Sequence, residues 1–204
     1  MKLLPAVAAM ALIVVASNVL VQFLYGQWLT WGAFTYPLAF LVTDLTNRLH
    51  GPAAARRVVM AGFGAGLVCS VIGTQIIGPE GPLVTGRIAL ASATAFLGAQ
   101  MLDVTLFDRL RGGRWWRAPL VSSLVGSALD TALFFSIAFS ALLPFGDVAW
   151  ANGTVPLLGR GPDAPLWVSL AVADWGVKLA LAVIALVPFR MTVGRLSGRP
   201  VERL

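Results

Sequence analysis

The sequence holds a single cysteine, Cys69, and a single histidine, His50, in 204 residues. A disulfide framework needs paired cysteines and a structural zinc site needs four Cys or His ligands, so neither can be assembled within one chain. No metal and no cofactor is expected. Charge is scarce as well: 12% of the residues are Asp, Glu, Lys or Arg, against 58% hydrophobic, whereas a soluble domain carries about 25% charged residues. Mean hydropathy is +0.83, and the chain is read as an integral membrane protein. Catalytic signatures are also missing. An intramembrane serine protease needs a histidine inside the membrane, and His50 lies in a basic loop. The G-x-G-D of intramembrane aspartyl proteases, the H-E-x-x-H of zinc hydrolases and the G-x-x-x-x-G-K-[ST] phosphate loop do not occur. The chain is therefore not expected to be an enzyme.

What is present is apolar length. A bilayer core about 30 Å thick takes roughly 20 residues of helix, and six such spans are predicted: Pro5–Leu24, Trp31–Leu49, Val58–Ile77, Leu83–Phe107, Ala118–Pro144 and Leu166–Phe189. The fold class is all-α, a single transmembrane domain over 1–204 built as a bundle of six helices. Lys2 before a long apolar run also fits a secretory signal, but Asn18, Gln22 and the lack of an A-x-A cleavage site favour a retained first helix. The net charge of +6 is a topology signal, with no nucleic-acid partner implied. Arg48, Arg56 and Arg57, then Arg109, Arg111, Arg114 and Arg117, then Arg190, Arg195, Arg199 and Arg203 fall in alternate loops, and the other side has only Arg87 and Arg160. Positive residues mark the cytoplasmic side, so both termini are expected there, in a bacterial inner membrane. Trp115 and Trp116 read as an interfacial anchor. Gly62-x-x-x-Gly66, Ala91-x-x-x-Ala95 and Ser123-x-x-x-Ser127 set small residues on one face and read as helix packing, with a homodimer as a further use. The outer loop from Phe145 to Pro165 is a cap or a lid.

Against this apolar background a few polar residues stand out. An ionised side chain at mid-membrane costs about 2.5 to 3.5 kcal/mol even on the lenient insertion scale. Asp130 falls near the middle of the fifth span, and Asp174 and Lys178 near the middle of the sixth. They must face the interior, pair, or line a wet cavity. Asp174 precedes Lys178 by one turn, which suits an ion pair that merely docks the helix. Asp130 has no basic neighbour in its own helix, so either Lys178 serves both acids or one acid is protonated or bound to a ligand. Asn18 with Gln22, and Gln100 with Asp103, add polar faces to the first and fourth spans. Such amides are often plain interhelical glue; here they join polar faces on other helices. Asp44, Asn47 and Arg48 lie toward the cytoplasmic end of the second span, where Arg48 can partly neutralise Asp44, and Pro37 bends that span. These three, with Arg87 and Asp103, read as gating or structural groups. A polar interior without catalytic machinery points to solute binding or transport.

Nine stretches then carry a resemblance: SN-x-LVQ at Ser17–Gln22, TWGAF at Thr30–Phe34, TDLTNR at Thr43–Arg48, ARR at Ala55–Arg57, GRIALAS at Gly86–Ser92, LGAQMLDV at Leu97–Val104, RWWRAP at Arg114–Pro119, DTALFFSIAF at Asp130–Phe139 and the Asp174-x-x-x-Lys178 pair. In this order and register they resemble the bacterial queuosine precursor transporters of the vitamin uptake transporter group. The resemblance leaves out most of the third span and the loop from Phe145 to Pro165. It implies import of the 7-deazaguanines preQ0 or preQ1, with the base bound in a polar cavity of the bundle.

That expectation suits the residues. A guanine-like edge offers N–H donors that a carboxylate accepts in pairs, and aromatic rings stack on its face. Asp130 or Asp174 is expected to read the donor edge and Asn18, Gln22 and Gln100 the remaining polar atoms. Trp31, Phe34 or Phe134 is expected to stack, and Lys178 to hold the carboxylates. Competing readings are a substrate-capture subunit of an energy-coupling-factor importer, a lipid-modifying membrane enzyme and a structural membrane protein.

Overall fold

The computed structural model describes residues 3–79 and 81–198. Lys2, Arg199 and Arg203, on which part of the charge pattern rests, lie outside them. Helix α1, Leu4–Leu20, is followed by a two-stranded hairpin, β1 Leu24–Tyr25 and β2 Leu29–Thr30, that turns at Gly26 with φ 69°. The second predicted span is broken as Pro37 requires: a single turn, α2 Gly32–Thr35, is joined at Tyr36–Pro37 to α3, Leu38–His50. Gly51, at φ 84°, ends α3 and leads directly into α4, Pro52–Gln75. This helix starts ahead of the expected Val58, because a proline at the first helical position needs no donor there. After the hairpin β3 Ile77–Gly78 and β4 Gly81–Pro82, α5 runs Gly86–Leu110. It begins past the expected Leu83, where the Thr85 hydroxyl accepts from the Ile88 N–H at 3.2 Å.

Helix α6, Arg117–Phe139, stops short of the expected Pro144. The loop that follows folds over it and pairs β5 Thr154–Pro156 with β6 Asp163–Pro165. Helix α7, Leu166–Ile184, continues through Ala185 into α8, Leu186–Ser197, beyond the expected Phe189.

Four helices among the described residues are long and apolar enough to cross a membrane: Pro52–Gln75, Gly86–Leu110, Arg117–Phe139 and Leu166–Ser197. Helix α1 is a shorter apolar helix of 17 residues. The tightest packing joins α5 to α6, and α3 sits centrally against α1, α4, α5 and α8. Small residues make this possible. A Cβ on Gly62 would fall 2.6 Å from Met10, and one on Gly126 would fall 2.9 Å from Phe40 and 3.3 Å from the Asp103 Cβ. One apolar cluster, with Met10, Val14, Val58, Val59 and Phe96, holds α1, α4 and α5 together; a second, with Phe107, Ala118, Phe189 and Val193, locks α8 onto α5 and α6. The reverse faces expose Leu12, Val68, Val71, Val183 and Val187, as lipid-facing surfaces do.

Candidate functional site

Two polar networks lie inside the bundle. The first grows from the break at Pro37, which turns the Tyr36 side chain inward. Its hydroxyl donates to Asp130 Oδ1 at 2.8 Å. Lys178 Nζ, from α7, donates to Asp130 Oδ2 at 2.7 Å and to Thr131 Oγ1 at 2.9 Å, and meets Asp174 Oδ2 at 2.5 Å. Thr131 Oγ1 in turn donates to Asp174 Oδ2 at 3.0 Å. Lys178 thus serves both acids, one of the alternatives left open by the sequence. Both oxygens of Asp130 are taken, and Lys178 and Asp130 are 95% removed from solvent. One cation between two carboxylates, joining α6 to α7, is costly to break: removing one partner of a buried pair costs about 3 to 5 kcal/mol.

The second network is the crossing of α3 with α5, closed on one side by α6. Thr43 Oγ1 lies 2.6 Å from Gln100 Oε1 and 3.0 Å from the Ala39 carbonyl, sharing one proton between them. At the next residue of α3, Ser122 and Ser123 donate to Asp44 Oδ1 and Oδ2 at 3.3 and 3.1 Å. The Asp103 carboxyl faces Asp44 and sits beside Ser122. One turn further, Asn47 Nδ2 donates to the Val104 carbonyl at 3.0 Å. Spacing produces this ladder: 43, 44 and 47 share a face of α3, and 100, 103 and 104 share a face of α5. Several of its atoms remain unmatched. Among the described residues, Gln100 Nε2, Asn47 Oδ1 and both oxygens of Asp103 have no hydrogen-bond partner, although all three residues are fully buried. Each such group costs about 1 to 3 kcal/mol.

A narrow cavity joins the networks. It is lined by Asp44 and Ser123 from the second, Lys178 from the first, and Phe40, Ser127 and Ala182 between, with a volume of about 20 Å³. That is room for about one water molecule, not for a bicyclic base. A wider groove of about 240 Å³ between α6 and α7 opens outward beside Trp167 and Trp175, and apart from Thr131 and the two indole N–H groups its lining is apolar.

The other expected residues are scattered. Trp31 and Phe34 meet Tyr25 edge to face at 5.1 Å each, at the hairpin end of the bundle. Asn18 is half-buried and donates to its own helix at the Val14 carbonyl. Gln22 is exposed just beyond the end of α1. Phe134 packs on Phe135 and Phe139. Arg48 makes no direct ion pair with Asp44: its Nη1 donates to the Arg111 carbonyl at 3.0 Å and its guanidinium lies over Phe107, while the hydrogen bonds to the Asp44 carboxylate come from serine hydroxyls. Arg87 donates to the carbonyls of Ile137, Ser140 and Phe145 at 2.5 to 2.7 Å, which makes it the clamp on the end of α6. Tyr36, Thr43, Ser122, Ser123 and Thr131 were not picked out by their chemistry in the sequence. Ser123 was visible only as half of a small-residue pair.

The chain matches the family described as "Putative vitamin uptake transporter" over residues 30–193. It is 35% identical over 194 residues to the queuosine precursor transporter of Escherichia coli, covering 87% of this chain and 79% of that one. It is 34% identical over 170 residues to a protein of Haemophilus influenzae named as a probable queuosine precursor transporter, covering 78% and 66%. With a Bacillus subtilis protein of the same name it shares 25% identity over 181 residues, covering 80% and 71%. No solved structure matches the chain.

Proposed function

Since this chain belongs to the vitamin uptake transporter family, we propose that it imports queuosine precursors, the 7-deazaguanines preQ0 and preQ1, across the bacterial inner membrane. Six spans, counting α1 and the broken α2–α3, carry the base through the bundle, with both termini cytoplasmic.

One observation carries this reading beyond the names of relatives. Two polar networks meet at a small cavity inside an otherwise apolar bundle, and behind the Asp44 wall of that cavity one of them has hydrogen-bonding capacity to spare. A helix-docking device has no use for spare capacity, because each unmet group opposes folding. A binding site does, because the ligand supplies the missing partners.

The cavity is too small for the base, so this is a closed state. Its walls divide into α3 with α6 on one side and α7 with α8 on the other. Access to the cavity requires those walls to part, and access to the ladder behind Asp44 requires α6 to move off α3 and α5 as well. Asp130, Asp174 and Lys178 span that seam and are assigned to it as the ionic latch, with Tyr36 and Thr131. Trp31, Phe34 and Tyr25 stand at the mouth where a base first stacks, with Asn18, Gln22 and Phe134 around that end, and Gln100 lies in the interior.

The test is uptake of preQ0 and preQ1 by bacterial cells unable to make either, read as queuosine in their tRNA. Expression of this chain is expected to restore the modified nucleoside from external precursor. If the protein is inserted and folded but neither precursor enters, the reading is wrong.

A further inference from the structure

We infer that Asp103, Gln100 and Asn47 form the edge that reads the base, in place of the Asp130 and Asp174 pair that the sequence favours. This rests on the import reading and names the recognition atoms within it.

Asp130 is spent in the closed state: each oxygen has a donor from Tyr36 or Lys178. Asp174 Oδ2 accepts from Lys178 and Thr131. The α3–α5 ladder is in the opposite condition. Asp103 presents two acceptor oxygens, Asn47 one more, and Gln100 an amide donor, all without partners among the described residues and all on side chains with no solvent exposure. The other half of each amide is already engaged, Gln100 Oε1 by Thr43 and Asn47 Nδ2 by the Val104 carbonyl. These bonds fix which way each amide points, so the free atoms are an oriented set.

That set has the complement of one ligand edge. A 2-amino-6-oxo purine-like base presents, in a row, an exocyclic amine donor, a ring N–H donor and a carbonyl acceptor. The two oxygens of Asp103 accept the two donors, and Gln100 Nε2, one turn away on α5, donates to the carbonyl. Asn47 Oδ1 takes the second amine proton. Asp44 stands behind Asp103, pinned by Ser122 and Ser123, and lines the cavity that leads in from Lys178. An adenine edge has a ring acceptor where the carboxylate needs a donor, so it leaves Asp103 unpaired and is refused.

The test is a binding cycle on detergent-purified protein with preQ1, with preQ1 lacking its 2-amino group and with preQ1 lacking its 6-oxygen. The wild type is expected to bind the first at least about tenfold more tightly than either analogue. A base without its 6-oxygen also loses the ring N–H, so in Asp103→Asn both preferences are expected to fall, the 2-amino one only in part because Asn47 Oδ1 still accepts from the amine. In Gln100→Ala only the 6-oxo preference is expected to shrink, and the 2-amino preference is kept. The second variant stands on its own should the first not fold. Either variant folding with both preferences intact overturns the assignment. Wild-type protein that binds no form of preQ1 or preQ0 overturns the import reading itself, which is a different result.

Discussion

At the scale of single residues, Lys178 carries the largest consequence. It is the only cation reaching Asp130 and Asp174 among the described residues, with all three side chains mostly buried. Lys178→Met leaves two carboxylates facing each other in a low-dielectric interior. The expected loss is about 3 to 5 kcal/mol, read as a lower thermal unfolding midpoint in detergent. The triple change Asp130→Asn, Asp174→Asn and Lys178→Gln keeps shape and removes charge, and is expected to recover most of that loss. A triple variant no more stable than Lys178→Met would mean that charge pairing is not what the lysine supplies. The Asp174–Lys178 half of this network was legible in the sequence because one helical turn brings the residues together. Tyr36 was not, because it reaches Asp130 across 94 residues from a break whose direction no local pattern encodes.

At the scale of elements, the α5–α6 contact decides whether the polar ladder exists. Gly126 lets the helices close to the point where an added Cβ meets Phe40 at 2.9 Å and both the Ala99 carbonyl and the Asp103 Cβ at 3.3 Å. Backbone oxygen does not yield, so Gly126→Ala is expected to push α6 away at the level of Asp103. The cost is of the order of 1 to 3 kcal/mol for overpacking, and precursor uptake falls with it. Gly64→Ala, with nothing within 4 Å, is the control and leaves both unchanged. If Gly126→Ala behaves like the control, the close approach is not required. Helix starts were legible only in their capping residues, Pro52 for α4 and Thr85 for α5, which the apolar runs from Val58 and Leu83 miss. The end of α6 was not. It is set by Arg87, some 50 residues upstream, whose guanidinium satisfies carbonyls that the last helical turn leaves open. Read from composition alone, Arg87 is a stray charge.

At the scale of the whole molecule, the helical class and the transporter family were legible because both are written redundantly, in composition and in nine stretches spread over most of the chain. The location of free hydrogen-bonding capacity was not. It depends on which side chains use each other up, and that is settled only when α3, α5, α6 and α7 meet. The same holds for direction across the membrane. Arg48 and Arg111 exchange backbone-directed bonds and Arg190 lies over Trp115, so the basic loops of three separate stretches gather at one end of the bundle. The hairpin and the β5–β6 loop lie at the other. Clustered arginine is retained on the cytoplasmic side during insertion, so the proposed orientation puts this end of the bundle inside. With Cys69→Ser as a cysteine-free background, Thr154→Cys, in the exposed β5 strand, is expected to react in intact spheroplasts with a membrane-impermeant maleimide. Gly112→Cys, in open space between α5 and α6, is expected to react only after the membrane is breached. The reverse pattern would put the Tyr25–Trp31–Phe34 end in the cytoplasm and overturn the proposed topology, with the first stacking site assigned to the wrong side of the membrane.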